Sequence, residues 1–295
     1  ACYNVCPSDA ITMQEGYHTF LYPVIDKNKC TDCLLCVKTC PLNSYINNNI
    51  PNPIIYSAEA SDQVRITSSS GGVFPIIAEH FIAKGGIVYA SSLEKSLEVK
   101  FIRVSSFSDI DKCKGSKYVQ SDVGKIFSSV KRDLENNLDV FFIGCPCQVA
   151  GLKKYLVKSY DNLLCVDLLC HGVPSKKIFS LYLSEKEIAY NDKVKNVLFR
   201  NKKFGWRSDL ITLEFNNSPD YVRSIKFNDE YETVFQKNIA LRDSCENCIF
   251  SSFPRVGDLT IGDFWGINKI KEVDGKGTSI VFSNNNKGEA LINKI

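Results

Sequence analysis

Six cysteines fall within the first 40 residues, and their spacing restricts the chain more than any other feature. Residues 30–41 read CTDCLLCVKTCP, a C-x2-C-x2-C-x3-C-P run. Two-residue gaps let one tight loop present Cys30, Cys33 and Cys36 to three corners of an iron–sulfur cubane. Pro41 then turns the chain away after Cys40. Residues 2–7, CYNVCP, repeat the last half of the pattern, C-x3-C-P. In paired runs of this kind the fourth cysteine of each ligates the other cluster. Cys6 is therefore expected to join Cys30, Cys33 and Cys36 around one [4Fe–4S] cluster. Cys2 and Cys40 are then half of a second ligand set, whose C-x2-C pair is expected to precede Ala1. Between the two runs, residues 10–26 alternate like a short hairpin around Glu15-Gly16. A zinc ribbon or a set of unligated thiols is the competing reading, and two halves of one motif in tandem speak against it.

The spacing is that of bacterial ferredoxins, so residues 1–44 read as a ferredoxin-type module that starts part-way through. The chain has 13 cysteines in 295 residues, an odd number, with no basic segment and apolar run at its start. A disulfide framework fits poorly; thiols at regular spacing in a reducing compartment act as metal ligands or redox groups. The expected location is the cytoplasm. Lys plus Arg is 36 and Asp plus Glu 33, a net charge of +3 that is too balanced to indicate nucleic acid as a partner. At 44% hydrophobic and 23% charged residues the chain can bury a core. No apolar stretch is long enough to suggest a membrane span.

Residues 45–62, rich in Asn, Pro and Ser, read as a linker. After them the apolar spacing predicts a helix over Val73–Ile82, stopped by Gly85-Gly86, and a strand over Ile87–Ala90. Further strands are expected at Val99–Val104, Val140–Ile143 and Leu163–Leu169. Helices are expected at Gly124–Asn137, Cys147–Lys158 and Lys176–Lys186. Strands alternating with helices predict an α/β core. Residues 194–227 read as a strand-rich meander. The pairs Lys153-Lys154 and Lys202-Lys203 read as solvated faces.

Three loops can carry chemistry. Ser68-Ser69-Ser70-Gly71-Gly72 enters a helix, where backbone N–H groups and hydroxyls suit a phosphate; the same residues also cap helices routinely. Gly144-Cys145-Pro146-Cys147-Gln148 joins a buried strand to a helix, the junction at which open α/β sheets bind ligands. It is neither a dinucleotide fingerprint nor a phosphate-binding Walker loop. Leu169-Cys170-His171-Gly172 follows another strand. His171 there is a candidate for proton transfer, with a purely structural histidine as the alternative. His18 and His80 read as structural. Cys245-Glu246-Asn247-Cys248 is a lone C-x2-C that needs two more ligands, for which Cys147 and Cys170 are the best donors. A third [4Fe–4S] cluster on Cys147, Cys170, Cys245 and Cys248 is the expectation, and zinc the alternative. Cys165, inside a strand, reads as core.

The segments SSSGGVF, GCPCQVAGLKKYL, LLCHGVPS, FRNKKFGWRS, SCENCIF and GDLTIGDFWGI, behind the ferredoxin-type module, resemble the coenzyme F420 hydrogenase/dehydrogenase beta-subunit family. The resemblance spans essentially the whole chain. It implies an α/β flavin-binding unit with an amino-terminal part at 63–145 and a strand-rich carboxy-terminal part at 146–295 that stops short of other members. It implies an iron–sulfur flavoprotein oxidoreductase, with FAD near Ser69, Ser70, Gly71 and Gly72 and with Lys117, Tyr118 and Gln120 as neighbours. Cys147, Cys170, Cys245 and Cys248 are supported as ligands, and His171 is placed near the flavin or its substrate. Partners implied are a ferredoxin or another redox subunit and a small organic substrate, F420 or another. A dedicated electron-transfer subunit without its own substrate pocket is the second reading. Asp263, Phe264 and Trp265 carry a family-like signature. Cys145, where Thr is commoner, leaves open which of Cys145 and Cys147 binds metal.

Overall fold

The computed structural model describes residues 1–224 and 229–295. The amino-terminal module holds α1 (Cys2–Val5), β1 (Ile11–Glu15), β2 (Leu21–Ile25), α2 (Leu35–Lys38) and α3 (Pro41–Ser44). The expected hairpin forms: β1 and β2 pair antiparallel from Ile11 opposite Ile25 to Glu15 opposite Leu21. Its turn is longer than two residues, with Tyr17–Thr19 as a short 3-10 segment closed by Gly16 N–H to Phe20 O at 2.9 Å.

The main body follows in the order β3 (Ile54–Ala58), α4 (Asp62–Ile66), α5 (Val73–Ala83), β4 (Ile87–Leu93), β5 (Val99–Val104), α6 (Phe107–Cys113), α7 (Ile126–Glu135), β6 (Val140–Gly144), α8 (Pro146–Leu156) and β7 (Leu163–Leu168). Then come α9 (Lys176–Tyr190), β8 (Val194–Asn201), β9 (Leu210–Phe215), β10 (Tyr221–Ser224), α10 (Glu230–Gln236), α11 (Asp243–Glu246), β11 (Leu259–Asp263), β12 (Ser279–Ser283) and α12 (Asn286–Ile292). Residues 225–227 of the expected meander lie outside the described residues.

Seven strands form one sheet in the order β3-β12-β11-β7-β6-β4-β5. The four central strands, β11, β7, β6 and β4, are parallel. Such strands are covered on both faces, which is why VFFIG and LLCVDL are near-continuous apolar runs. Alternate side chains supply two cores. Val88, Phe141, Leu164, Val166 and Ile261 pack against Ile77 and Ile82 of α5 and Leu291 of α12. Tyr89, Phe142, Leu163 and Cys165 pack against Phe127 and Val130 of α7 and Val149 and Leu152 of α8. The expectation of an α/β core holds. A third cluster lies between α9, α10 and the three-stranded antiparallel sheet β10-β9-β8, with Phe179, Phe199, Leu213 and Tyr231 inside.

Two differences from the sequence expectations have physical causes. The expected linker contains a strand: Ile54–Ala58 pairs with β12 as the sheet's outer edge, and half-exposed edge strands tolerate a polar, proline-flanked context. Segments 63–145 and 146–295 also share the sheet, since β6 and β7 pair across residue 145.

The lysine pairs are not plain solvated faces. Lys202 Nζ donates to the carbonyls of Arg65, Ser70 and Lys276 at 2.8, 2.8 and 2.6 Å. Lys153 Nζ donates to Val256 O at 2.7 Å. Both ammonium groups are taken up by main-chain carbonyls rather than by open solvent.

Candidate cofactor and metal site

Parallel strands end on a common side of the sheet, so the loops after β6, β7 and β11 collect at one edge. The start of α5 lies at the same edge, where these segments line a cavity of 570 Å³. That volume falls in the range of small-molecule and cofactor pockets.

One wall is the loop 68–72. Ser69, Ser70 and Gly72 line the cavity, while Gly71 lies behind it. Gly71 N–H donates to Ser279 Oγ at 3.0 Å and its carbonyl accepts from Ala60 N–H at 2.8 Å. A Cβ there would stand 2.2 Å from Ala58 O, so only glycine fits. Ser70 Oγ donates inward to Thr278 O at 2.8 Å. Ser69 Oγ accepts from Ser116 Oγ at 2.9 Å, which leaves its own proton to donate into the cavity. The loop is held from outside by charge. Arg65, buried, makes a two-pronged pair with Asp274 at 2.8 and 2.7 Å, beside Lys202. Burial lowers Lys202 to about 8. Arg65 beside Asp274 holds that carboxylate at about 2.

Lys117 and Tyr118 line the next wall; Gln120 does not, and its N–H is used on Pro174 O at 3.1 Å. Lys117 Nζ donates to Cys113 O at 2.7 Å and Lys114 O at 2.8 Å, and burial lowers it to about 8. One of its three donors stays available.

The far wall gives Asp263 and Trp265 a role that spacing did not. Asp263 accepts from Arg200 Nη1 and from the Trp206 indole, both at 3.0 Å. Trp265 stacks on Trp206 with centroids 4.8 Å apart, and Arg200 lies over its ring. Tyr118 stacks on Phe235 at 4.5 Å. His171 lines the cavity with its ring edge on Phe235, its Nε2 3.3 Å from Phe235 O. Sequence reasoning missed Arg200, Trp206 and Lys202 as site residues, although all three lie in the segment FRNKKFGWRS.

The thiols occupy the remaining wall. Cys145 and Cys147 flank Pro146 at the start of α8. Gln148 Oε1 accepts from Cys145 N–H at 2.8 Å and fixes that corner. Pro174 bridges to Leu241, and Arg242 N–H donates to Val173 O at 3.0 Å, so the Cys245–Cys248 loop is strapped beside Cys170. At Gly172, with φ +138°, a Cβ would meet Leu241 at 2.6 Å, so the strap needs glycine.

Cys147 feels the charges of Cys170, Cys248 and Cys245, and Cys245 feels those of Cys170 and Cys248. Cys145 joins as a fifth thiol. Its hydrogen bond to Cys170 holds Cys170 below the usual thiol value, at about 7, and raises Cys145. Cys145 and Cys170 line the cavity; Cys147 stands outside that lining. Among the described residues no three His, Cys, Asp or Glu groups converge on a single ion position. Cys165, in the core as expected, is buried and pushed up to about 12.

In the amino-terminal module all six cysteines are free thiols. The charges of Cys2 and Cys40 both act on the Ala1 amino group. Cys6 Sγ accepts from Ala10 N–H at 3.3 Å, and Cys30 Sγ donates to Asp32 at 3.6 Å. Cys33 is exposed. His18 sits in the hairpin turn at φ 51° and His80 beside Lys84, both outside the cavity.

Comparison with known proteins agrees with this architecture. Residues 138–295, more than half of the chain, match the family defined by the carboxy-terminal part of the coenzyme F420 hydrogenase/dehydrogenase beta subunit. Residues 1–44 match the 4Fe-4S dicluster domain. An uncharacterized ferredoxin of Methanocaldococcus jannaschii is 34% identical over 50 residues, 17% of this chain. The match spans only 30% of that ferredoxin. A solved structure of the F420-reducing [NiFe] hydrogenase complex from Methanosarcina barkeri, a xenon derivative, contains a chain with the same fold. It aligns at TM-score 0.55 and 17% identity over 83% of this chain and 79% of that one. No helix among the described residues is long and apolar enough to cross a membrane.

Proposed function

This chain belongs to the coenzyme F420 hydrogenase/dehydrogenase beta-subunit family, and from that premise we propose that it is an iron–sulfur flavoprotein oxidoreductase. It would relay electrons between its amino-terminal [4Fe–4S] clusters and FAD, and act there on a small organic substrate. The observation that carries this reading is a shared wall: Cys145 and Cys170, part of a five-thiol group, line the same cavity as the serine–glycine loop at the start of α5. When bound, the clusters supply one-electron transfer and the flavin two-electron chemistry.

The donor set fits such groups. A cubane binds each thiolate at a different corner, so its four ligands lie farther apart than around one tetrahedral ion. The mutual charge effects among Cys147, Cys170, Cys245 and Cys248 support their sharing one such cluster. The helix start at Gly72-Val73, the Ser69 hydroxyl and the spare Lys117 donor would hold the FAD diphosphate. The Trp265 ring and Tyr118 bound the end open to a planar partner. His171, its Nε2 turned toward Phe235 O, would exchange a proton with substrate through Nδ1.

Electrons would enter from a ferredoxin or another redox subunit at the amino-terminal module, where Cys33, Leu34, Leu42 and Ile46 are all exposed. That same face favours a second reading, a subunit that works only when docked to a catalytic partner.

Gly71→Ala tests the flavin half. The variant should keep wild-type iron and circular dichroism yet lose extractable flavin. A folded variant retaining full flavin would contradict the assignment of the loop.

A further inference from the structure

We propose that Arg242 is a positioning residue that locks the amino-terminal hairpin onto the loops that carry Cys170 and Cys245, and thereby fixes the gap between the amino-terminal clusters and the carboxy-terminal one. The clamp itself stands on geometry; its consequence for electron passage rests on the relay proposed above.

Arg242 stands three residues before Cys245, and its main chain already belongs to the strap. Its N–H donates to Val173 O at 3.0 Å, and its carbonyl accepts from Cys245 N–H at 2.7 Å. Its guanidinium points to the other end of the sequence. Nη1 and Nη2 both donate to Leu21 O at 3.2 Å. The guanidinium carbon lies 4.4 Å from the Tyr22 ring centroid and 5.3 Å from that of Phe20. One planar cation therefore caps a carbonyl of β2 and covers two aromatic rings on either side of it, a match that an ammonium cannot reproduce.

A second tie runs alongside. Thr19 Oγ1 donates to Ser175 Oγ at 2.9 Å, and Ser175 is fully buried at the start of α9. The hairpin thus touches both chain segments that carry the inner thiols: the one leaving Cys170 and the one entering Cys245. Arg242 is a residue common to the hairpin and both loops, its side chain on the hairpin and its main chain on Val173 and Cys245. It also faces the Cys245 sulfur as a positive charge.

The test compares the intact wild-type protein with Arg242→Ala, Arg242→Lys and Tyr22→Leu. Hydrogen exchange at residues 19–22 and 172–175 should rise about tenfold in Arg242→Ala and less in Arg242→Lys and Tyr22→Leu, with exchange across β6 and β7 unchanged. In the same samples, iron and flavin content should match wild type while single-turnover transfer from the amino-terminal clusters to flavin slows about tenfold. Unchanged exchange at 19–22 in Arg242→Ala overturns the clamp. If that variant fails to fold, Tyr22→Leu decides by the same reading. Iron- or flavin-free wild-type protein would sink the relay and leave the exchange result to judge the clamp alone. Faster exchange with unaltered transfer would confine Arg242 to a structural role and overturn its effect on the gap.

Discussion

At the scale of the residue, the site is built from side chains whose partners lie far away in sequence. Lys202 is the strongest case. Its ammonium gathers three carbonyls from segments 65–70 and 276 and so shapes the loop proposed to hold the flavin diphosphate. Lys202→Met leaves the carbonyls of Ser70 and Lys276 without this donor, so flavin affinity should fall at least about tenfold, read by fluorescence titration of the deflavinated protein.

Glu232 makes a pH prediction. It is 2% exposed, and burial, with Asp229 and Asp209 nearby, raises its carboxyl to about 8 against an ordinary 4.5. Below pH 4.5 folded and unfolded chains both hold the proton. As pH rises from there to about 8 the unfolded chain releases it and the folded chain does not, so stability falls by up to about 1.4 kcal/mol per pH unit. Glu232→Gln should flatten the decline in melting temperature between pH 6 and about 8. An equally steep decline in the variant would contradict this.

The amino-terminal cysteine pattern was legible in the sequence because the dicluster domain it matches carries a short, local spacing. Lys202, Arg200 and Arg242 were not, because what each does depends on a carbonyl, carboxylate or ring that only the tertiary fold brings near. Gln120 shows the reverse. Its nearness in sequence to Lys117 and Tyr118 did not carry it into the cavity, since Pro174 takes its N–H.

Among the elements, strands buried on both faces were the easiest to read. Val140–Gly144 extends its expectation by one, and Leu163–Leu168 ends one residue short of its own. β3 was hidden because an edge strand needs only one partner and its Asn- and Pro-rich flanks mask the pattern. The helices run as expected with shifted ends; α9 continues to Tyr190, stopped by Asn191 in the left-handed region. The small sheet β10-β9-β8 shares its core with Val99 of β5 and Leu93 of β4. Phe199, 1% exposed, packs among Phe179, Tyr118 and Tyr231. Phe199→Ala should cost about 3–5 kcal/mol in urea unfolding and disorder the Tyr118 side of the cavity. A loss below about 1 kcal/mol would show that this layer does not hold the cavity wall.

For the whole molecule, the decisive relation is that a dicluster module, a thiol group and a cofactor-sized cavity are joined through one sheet edge. The fold class and the order of the parts could be read from the chain. The cavity, and the pairing of β6 with β7 across the expected boundary at 145, required the tertiary structure. The most direct test is a reductive titration of the protein purified without oxygen, with iron, acid-labile sulfide, zinc and flavin measured on the same sample. The account predicts iron and sulfide in equal amounts, bound flavin, and cluster and flavin absorbance both bleaching as electrons are added. Zinc in place of iron, with no flavin to extract, would contradict it.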